Sequence, residues 1–383
     1  MCYTNAIMLD TIREGTLVKV ICAKKDLHEG VQTAGRAVSP RTSLPILGHL
    51  LIKTEDDRLR LAATDLEIGM ECVVEASVQE PGALTVPARV LVEVLAALPD
   101  TDVQLSVDES STVNLKCGAS DFSILGLPAD EFPPLPEVRG EVNFKIEPNV
   151  LREGITKSSF AISADESRAI LTGVLLQVAD SSLKMVATDT HRLCVFHCPL
   201  VECEGSVNAI VPGRAMQELV RIVPEGGGTV DVSIAANQLM FRVGETALTS
   251  RLIEGQFPNF ERVIPTEYSR KLIIPTEHFT QSVRRAEIVA RENAHRTVFR
   301  TQDGTLVLSA ESSGLGRVHE EVEVIKEGED LKVAFNARYL LDVLSVVDTE
   351  AIEMELTGDV SPALIRPQGQ DNYIYVLMPM QLE

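Results

Sequence analysis

Tryptophan is absent from this 383-residue chain, tyrosine occurs five times, and aromatic residues reach only 4%. Its cores must therefore be aliphatic, built from Leu, Val and Ile. Cysteine is sparse too: there are seven, an odd number, with no Cys-x-x-Cys spacing. Secreted disulfide scaffolds are smaller, denser in cysteine and usually even-numbered, so a reducing, cytoplasmic setting fits better. No run of 18 apolar residues occurs, so no segment reads as a membrane-spanning helix. Residues 1–16 lack the basic start and long apolar run of a secretory signal and read as a disordered extension. Positive charge is also in short supply, with 35 Lys and Arg against 56 Asp and Glu and a net charge of −21. That balance argues against adhesion of the whole surface to nucleic acid or membrane, while leaving room for a local basic face.

What is present is globular composition, 45% hydrophobic and 24% charged, over a length that suits two to four domains. Self-comparison narrows this. Val86-Pro87-Ala88-Arg89 returns 125 residues later as Val211-Pro212-Gly213-Arg214, and Ala63-Thr64-Asp65 returns 124 residues later as Ala187-Thr188-Asp189. Phe132-Pro133 returns as Phe257-Pro258, Glu29-Gly30 as Glu153-Gly154, and Gly48-x-Leu50-Leu51 as Gly173-x-Leu175-Leu176. A fainter third copy begins its second helix at Phe335-Asn336-Ala337-Arg338. Solenoid repeats are 20–50 residues long, so units of this length are tandem globular domains, with expected bounds 17–139, 140–268 and 269–383.

Each unit reads alike. A first amphipathic helix (KDLHEGVQTAGRAVS, NVLREGITKSSFAIS, EHFTQSVRRAEIVAR) precedes strands with alternating or β-branched character. Asp56-Asp57 marks a hairpin turn. A second helix follows the Val-Pro start, because Pro ahead of the first turn is a helix-start signal. Two helices on about eight antiparallel strands per unit make an α+β domain.

Several residue sets resemble chemistry. His191, Cys194, His197, Cys198 and Cys203 fall in one short run, HRLCVFHCPLVEC, but structural zinc wants paired ligands in a tight loop. Along a strand Cys194 and Cys198 share one face while His191 and His197 take the other. No metal and no cofactor is therefore expected. Asp65 and Asp189 occupy equivalent points of different repeats, which suits turn roles better than a catalytic pair. Residues 224–229 (PEGGGT) lack the phosphate-cradle pattern. A metal- or thiol-dependent enzyme built on the Cys/His run is the competing functional class, and no catalytic residue is assigned.

Taken in order, Ser43-Leu44-Pro45-Ile46-Leu47-Gly48, Ala63-Thr64-Asp65-Leu66-Glu67, Ala187-Thr188-Asp189-x-His191-Arg192-Leu193, Phe257-Pro258 and Val376-Leu377-Met378-Pro379-Met380 on a threefold repeat resemble the bacterial sliding clamps, the beta subunits of DNA polymerase III. The resemblance runs from about residue 17 to the end. It implies three tandem clamp domains per chain and a head-to-tail dimeric ring that encircles double-stranded DNA, without sequence reading, and tethers the replicative polymerase. A clamp-fold paralogue that recruits repair or protective factors fits the same residues. The partners implied are a second copy, DNA, the polymerase alpha subunit, the clamp loader and other proteins with clamp-binding motifs, with no membrane.

DNA is negative, so helices facing it must be locally basic on an otherwise acidic chain. The candidates are Lys24, Arg36, Arg89, Arg152, Lys157, Arg214, Arg284, Arg285 and Arg338 on the helices, with Arg41 and Arg168 in loops that match DNA-touching positions of the family. Ala169 and Ile170 stand where the family often carries aromatics. The resemblance also implies a hydrophobic peptide groove between the second and third domains. It would be lined by Leu171, Thr188, His191, Arg192, Leu193, Pro258, Arg262, Val263, Asn336, Tyr339, Val360, Pro362, Val376, Met378, Pro379, Met380 and Leu382, with Arg192 nearer its rim. Methionine suits a groove that accepts several partners; the plainer reading makes YIYVLMPM a core strand. Gln381-Leu382-Glu383 departs from the basic-then-Leu ending common in the family. Phe122 and Ile288 are placed at the dimer interface, where Ala119 and Asp121 replace residues that are commonly basic.

Overall fold

The computed structural model describes residues 18–39, 43–108 and 110–382. The extension at 1–16 and Arg41 lie outside the described residues. The same order of elements occurs three times. The first pass runs β1 (Lys19–Ala23), α1 (Lys24–Ala34), β2 (His49–Glu55), β3 (Arg58–Thr64), β4 (Ile68–Glu75), β5 (Ser77–Glu80), β6 (Ala83–Pro87), α2 (Ala88–Ala97), β7 (Asp102–Val107), β8 (Thr112–Cys117) and β9 (Ser120–Leu125). The second runs β10 (Val142–Ile146), α3 (Pro148–Ser158), β11 (Gly173–Ala179), β12 (Ser182–Thr188), β13 (Arg192–Pro199), β14 (Glu202–Glu204), β15 (Val207–Pro212), α4 (Gly213–Ile222), β16 (Val230–Ile234), β17 (Gln238–Val243) and β18 (Thr246–Arg251). The third runs β19 (Arg270–Pro275), α5 (Thr276–Ala290), β20 (Arg296–Gln302), β21 (Thr305–Ser312), β22 (Gly316–Glu323), β23 (Ile325–Glu327), β24 (Lys332–Asn336), α6 (Ala337–Leu344), β25 (Ala351–Leu356), β26 (Ala363–Pro367) and β27 (Tyr373–Leu377). Each pass holds nine described strands rather than about eight. The short strands β5, β14 and β23, four residues or fewer, have too little alternation to be read from sequence.

Local chemistry accounts for the elements. Pro87, Pro212 and Pro275 stand at the N-caps of α2, α4 and α5, where a missing N–H costs nothing. In the third pass Asn336 takes the position of Pro87 and Pro212, and its side chain accepts from the N–H groups of Arg338 and Tyr339. The repeated Gly30 and Gly154 let the first helices lie close on their sheets. A Cβ on Gly30 would sit 2.5 Å from Val74 Cγ2, and one on Gly154 would sit 2.7 Å from Met185 Sδ. Asp56 sits at the β2–β3 turn with positive φ.

The chain divides into two compact units, residues up to 138 with 240–250, and 139–239 with 251–383. In the first, an antiparallel sheet ordered β5-β1-β7-β8-β9 accompanies a second one in which β6, β2, β3, β4 and β18 are consecutive. In the second unit, one sheet is ordered β15-β11-β12-β13-β27-β26-β25-β19-β23 and another β22-β21-β20-β24. The closing strand of each later pass thus pairs with the one before it: β18 with β4 through Thr249↔Gly69, and β27 with β13 through Leu193↔Val376.

The thiols follow the packing. Cys22, Cys72, Cys194 and Cys198 are all buried, and burial pushes each of them up to about 12, whereas Cys203 is half-buried. At pH 8 a thiol of that pKa is about 0.01% thiolate, and the thiolate is the reactive form. Brief alkylation of the native chain followed by peptide mass spectrometry should label Cys203 at least about a hundredfold faster than these four. Comparable rates would show that the sheets open readily.

Candidate functional site

One turn occurs in both of the first two passes, and in the second it borders an apolar surface niche. Thr188 Oγ1 donates to the Arg192 carbonyl at 2.6 Å, and Asp189 Oδ1 accepts from the N–H groups of His191 and Arg192. Thr64 and Asp65 make the same bonds in the first pass, Thr64 Oγ1 to the Ile68 carbonyl and Asp65 Oδ1 from Glu67 and Ile68. Leu66 and Thr190 share a positive φ, 77° and 79°. The acids are therefore turn formers. In the second pass the turn leads into β13, whose Leu193 and the adjacent Val376 of β27 join Phe260, Leu175, Val186 and Leu364 in one buried apolar cluster.

Above this cluster opens a cavity of about 200 Å³ lined by Leu171, Thr188, Thr190, Arg192, Leu193, Pro258, Asn259, Phe260, Val263, Val376 and Met378. The Met378 N–H donates to the His191 carbonyl at 2.9 Å, so the chain beyond β27 is pinned to the turn. Of the expected groove residues, Leu171, Thr188, Arg192, Leu193, Pro258, Val263, Val376 and Met378 come together here. Thr190, Asn259 and Phe260 were missed, although Phe260 lies three residues after the repeated Phe257. His191 stacks on Tyr339 at 6.4 Å beside the cavity, and Asn336 caps α6. Arg262, Val360, Pro362, Pro379 and Met380 do not line it.

Arg192 is not a rim residue. Only 8% exposed, its guanidinium donates through Nε to Asp189 Oδ2 at 3.0 Å, through Nη1 to Asp342 Oδ2 at 2.5 Å, and through Nη2 to the Phe160 carbonyl at 2.6 Å. It also lies 4.3 Å from the Tyr339 ring centre and 5.4 Å from that of Phe160. Burial alone disfavours the cation, but the hydrogen bond to Asp342 and the charges of Asp189 and Asp342 raise its pKa above the ordinary arginine value. Leu382 is also displaced from expectation: it lines a separate cavity with Arg296 and Arg317.

Comparison with known proteins settles the kinship. Family models for the N-terminal, central and C-terminal domains of the DNA polymerase III beta subunit match residues 18–136, 145–259 and 261–381. The beta sliding clamp of Staphylococcus aureus is 34% identical over 356 residues, which cover 90% of this chain and 94% of that one.

The chain belongs to the DNA polymerase III beta subunit family.

Among solved structures, the DNA polymerase sliding clamp of Bacillus subtilis is similar at a TM-score of 0.92 and 30% identity, covering 96% of this chain and all of that one. The sliding clamp of Pseudomonas aeruginosa bound to griselimycin gives 0.91 and 32%, covering 95% and 100%. The family is the non-catalytic clamp of the polymerase, built from three clamp domains per chain. No helix among the described residues is long and apolar enough to cross a membrane.

The basic residues expected to face DNA separate into groups. Arg89, Arg168, Arg214, Arg284 and Arg338 are exposed, and Lys24, Arg36 and Arg152 half-buried. Arg89 pairs with Glu93 at 3.0 Å. Arg168 lies 3.7 Å from Asp165, and Arg152 donates to the Val223 carbonyl. Arg285 makes two bonds to Glu320, at 2.8 and 2.6 Å, which raise the arginine pKa and lower that of the carboxyl.

Lys157 does not fit a DNA-facing role. It is 3% exposed, bonded to Glu153, and sits 5.6 Å from the Tyr373 ring centre and 6.0 Å from that of Phe196. An ammonium packed on two aromatic rings under α3 cannot follow a phosphate backbone. In the Cys/His run, Cys194 accepts from the Tyr373 hydroxyl at 3.6 Å inside the core, while His197 is exposed.

Proposed function

We propose that two copies of this chain close head to tail into a ring around duplex DNA and serve as the processivity factor that tethers the replicative polymerase. The observation that carries the closure is the strand exchange. The middle strands β4 and β13 each receive the last strand of the next pass, β18 and β27. Their third-pass equivalent, β22, is a sheet edge, and so is β9, the last strand of the first pass. An edge strand presents unpaired N–H and C=O groups and pairs readily with another chain. Seating β9 of one copy on β22 of another continues the series, and two such contacts close the assembly. Phe122 on β9 and Ile288 on α5, 37% and 51% exposed, supply the apolar part of that contact. The Arg285–Glu320 pair stands beside it, tying α5 to β22.

The ring needs only scattered charge toward DNA. Lys24, Arg36, Arg89, Arg152, Arg168, Arg214, Arg284 and Arg338 are the groups proposed to meet phosphates, with no base-reading set among them. The cavity floored by Leu193 and Val376 is the proposed peptide groove. It takes apolar anchors of linear segments from the polymerase alpha subunit, the clamp loader and other proteins with clamp-binding motifs, in the cytoplasm.

Retention should be topological. At about 0.2 M salt, where direct phosphate contacts are strongly weakened, clamp loaded on nicked circular DNA should stay at least roughly ten times longer than clamp on linear DNA with free ends. Equal loss from both substrates in a gel-filtration chase would overturn the encircling ring.

A further inference from the structure

Leu382 marks a second cavity, of about 570 Å³, on the face of the β22-β21-β20-β24 sheet turned away from α5. Strand alternation builds it. Leu306 and Leu308 of β21 are buried, while the intervening register turns Ser309 and Glu311 outward. Ser309 lies between Val298 and His319, and Glu311 pairs across to Arg317. Arg296 and Arg317 thus line one niche with a single carboxylate, Glu311, on a chain whose net charge is −21.

These guanidiniums are under-used. Among the described residues the Arg317 guanidinium makes no hydrogen bond or ion pair, its backbone lying in the β21–β22 ladder, and the Arg296 guanidinium gives one long bond, 3.4 Å from Nη1 to the Gln381 carbonyl. The chain end connects this niche to the groove: Met378 lines the first cavity, the Met380 N–H donates to Ala334 on β24 at 2.8 Å, and Leu382 lines the second. Four extended residues span about 13 Å.

We propose that this cavity is an acidic-residue subsite for partner peptides, taking a carboxylate about four residues beyond the apolar anchor held in the groove. The proposal rests on the groove reading above. Arginine binds a carboxylate through two parallel bonds, and the excess negative charge elsewhere on the chain leaves this niche as a local exception for an anionic segment.

The test uses the full-length dimer and fluorescence anisotropy with three kinds of peptide. One is a short apolar-anchored parent; the others carry a four-residue extension ending in Asp-Asp or Asn-Asn, placed at either end. At about 50 mM salt the Asp-Asp extension on one end should bind roughly fivefold tighter than its Asn-Asn counterpart. The difference should shrink at about 500 mM salt. Arg296→Gln, and separately Arg317→Gln on the strand β22 proposed to meet the second copy, should abolish that difference while leaving parent affinity unchanged. Light scattering checks that each variant remains dimeric. Equal affinities of the acidic and amide extensions overturn the proposal, as does a difference that survives both substitutions. Absence of parent binding removes the groove reading and this subsite together.

Discussion

Replacing Arg192 with alanine is expected to destabilise the second compact unit by about 3–5 kcal/mol, lowering its Tm by roughly 10 °C, and to weaken peptide binding as a consequence. The size follows from what stays behind. Asp189, whose side chain is 12% exposed, loses its partner in a nearly dry site, and Asp342, at 34%, loses a short bond. The Phe160 carbonyl loses a donor as well. Removing one member of a buried ion pair is far more costly than never having the pair, because the remaining charge is neither hydrated nor neutralised. The guanidinium also joins the turn before β13 to α6, through Asp189 on one side and Tyr339 and Asp342 on the other. Its loss therefore loosens the wall against which the cavity is built. Asp342→Asn should cost only about 1 kcal/mol, since that carboxylate is a third exposed and an amide still accepts a hydrogen bond. Differential scanning calorimetry separates the outcomes: an Arg192→Ala curve superimposable on that of the parent would return Arg192 to the rim.

This residue also shows where sequence reading stops. The repeat made the element order legible because each signal is local. Pro87 and Pro212 stop a strand and start a helix, Gly30 and Gly154 admit a helix close to a sheet, and the Ala-Thr-Asp turn closes on its own backbone. Arg192 and Lys157 look like any surface cation by those criteria. Their burial is decided by Asp342 and Tyr339, 150 and 147 positions after Arg192, and by Phe196 and Tyr373 packed on Lys157. No period or spacing carries that information. Leu382 lies apart from the cavity for a related reason. The chain end leaves the cavity after Met378 and runs antiparallel beside β24, a path set by the Met380–Ala334 bridge and not by any pattern in the last residues. The floor of the cavity was legible because Leu193 and Val376 lie on strands that pair directly, whereas Phe260 opens a short 3-10 turn, Phe260–Val263, with no alternation to mark it.

Placing a carboxylate at Met378 should reduce the affinity of an apolar-anchored peptide by at least about tenfold and leave the fold intact. Met378 is 37% exposed, follows the last residue of β27, and lines a cavity whose other walls include Leu171, Leu193, Pro258 and Val376. Burying one large aliphatic or aromatic anchor there is worth about 1.5–3 kcal/mol, a factor of roughly 10–150 in Kd. Met378→Asp forfeits much of this by keeping water and charge where the anchor must sit. The backbone bond from residue 378 to the His191 carbonyl survives the substitution, so the chain end stays in place and the effect reads on the cavity alone. Deleting residues 378–383 removes that bond as well and should abolish measurable binding, while β27 keeps its pairing with β13 and the dimer persists. Isothermal titration with one peptide against the parent, Met378→Asp and the deletion gives the answer. Unchanged affinity in the deletion would make the chain end a strand terminus with no part in recognition, and the niche above Leu193 would need another occupant.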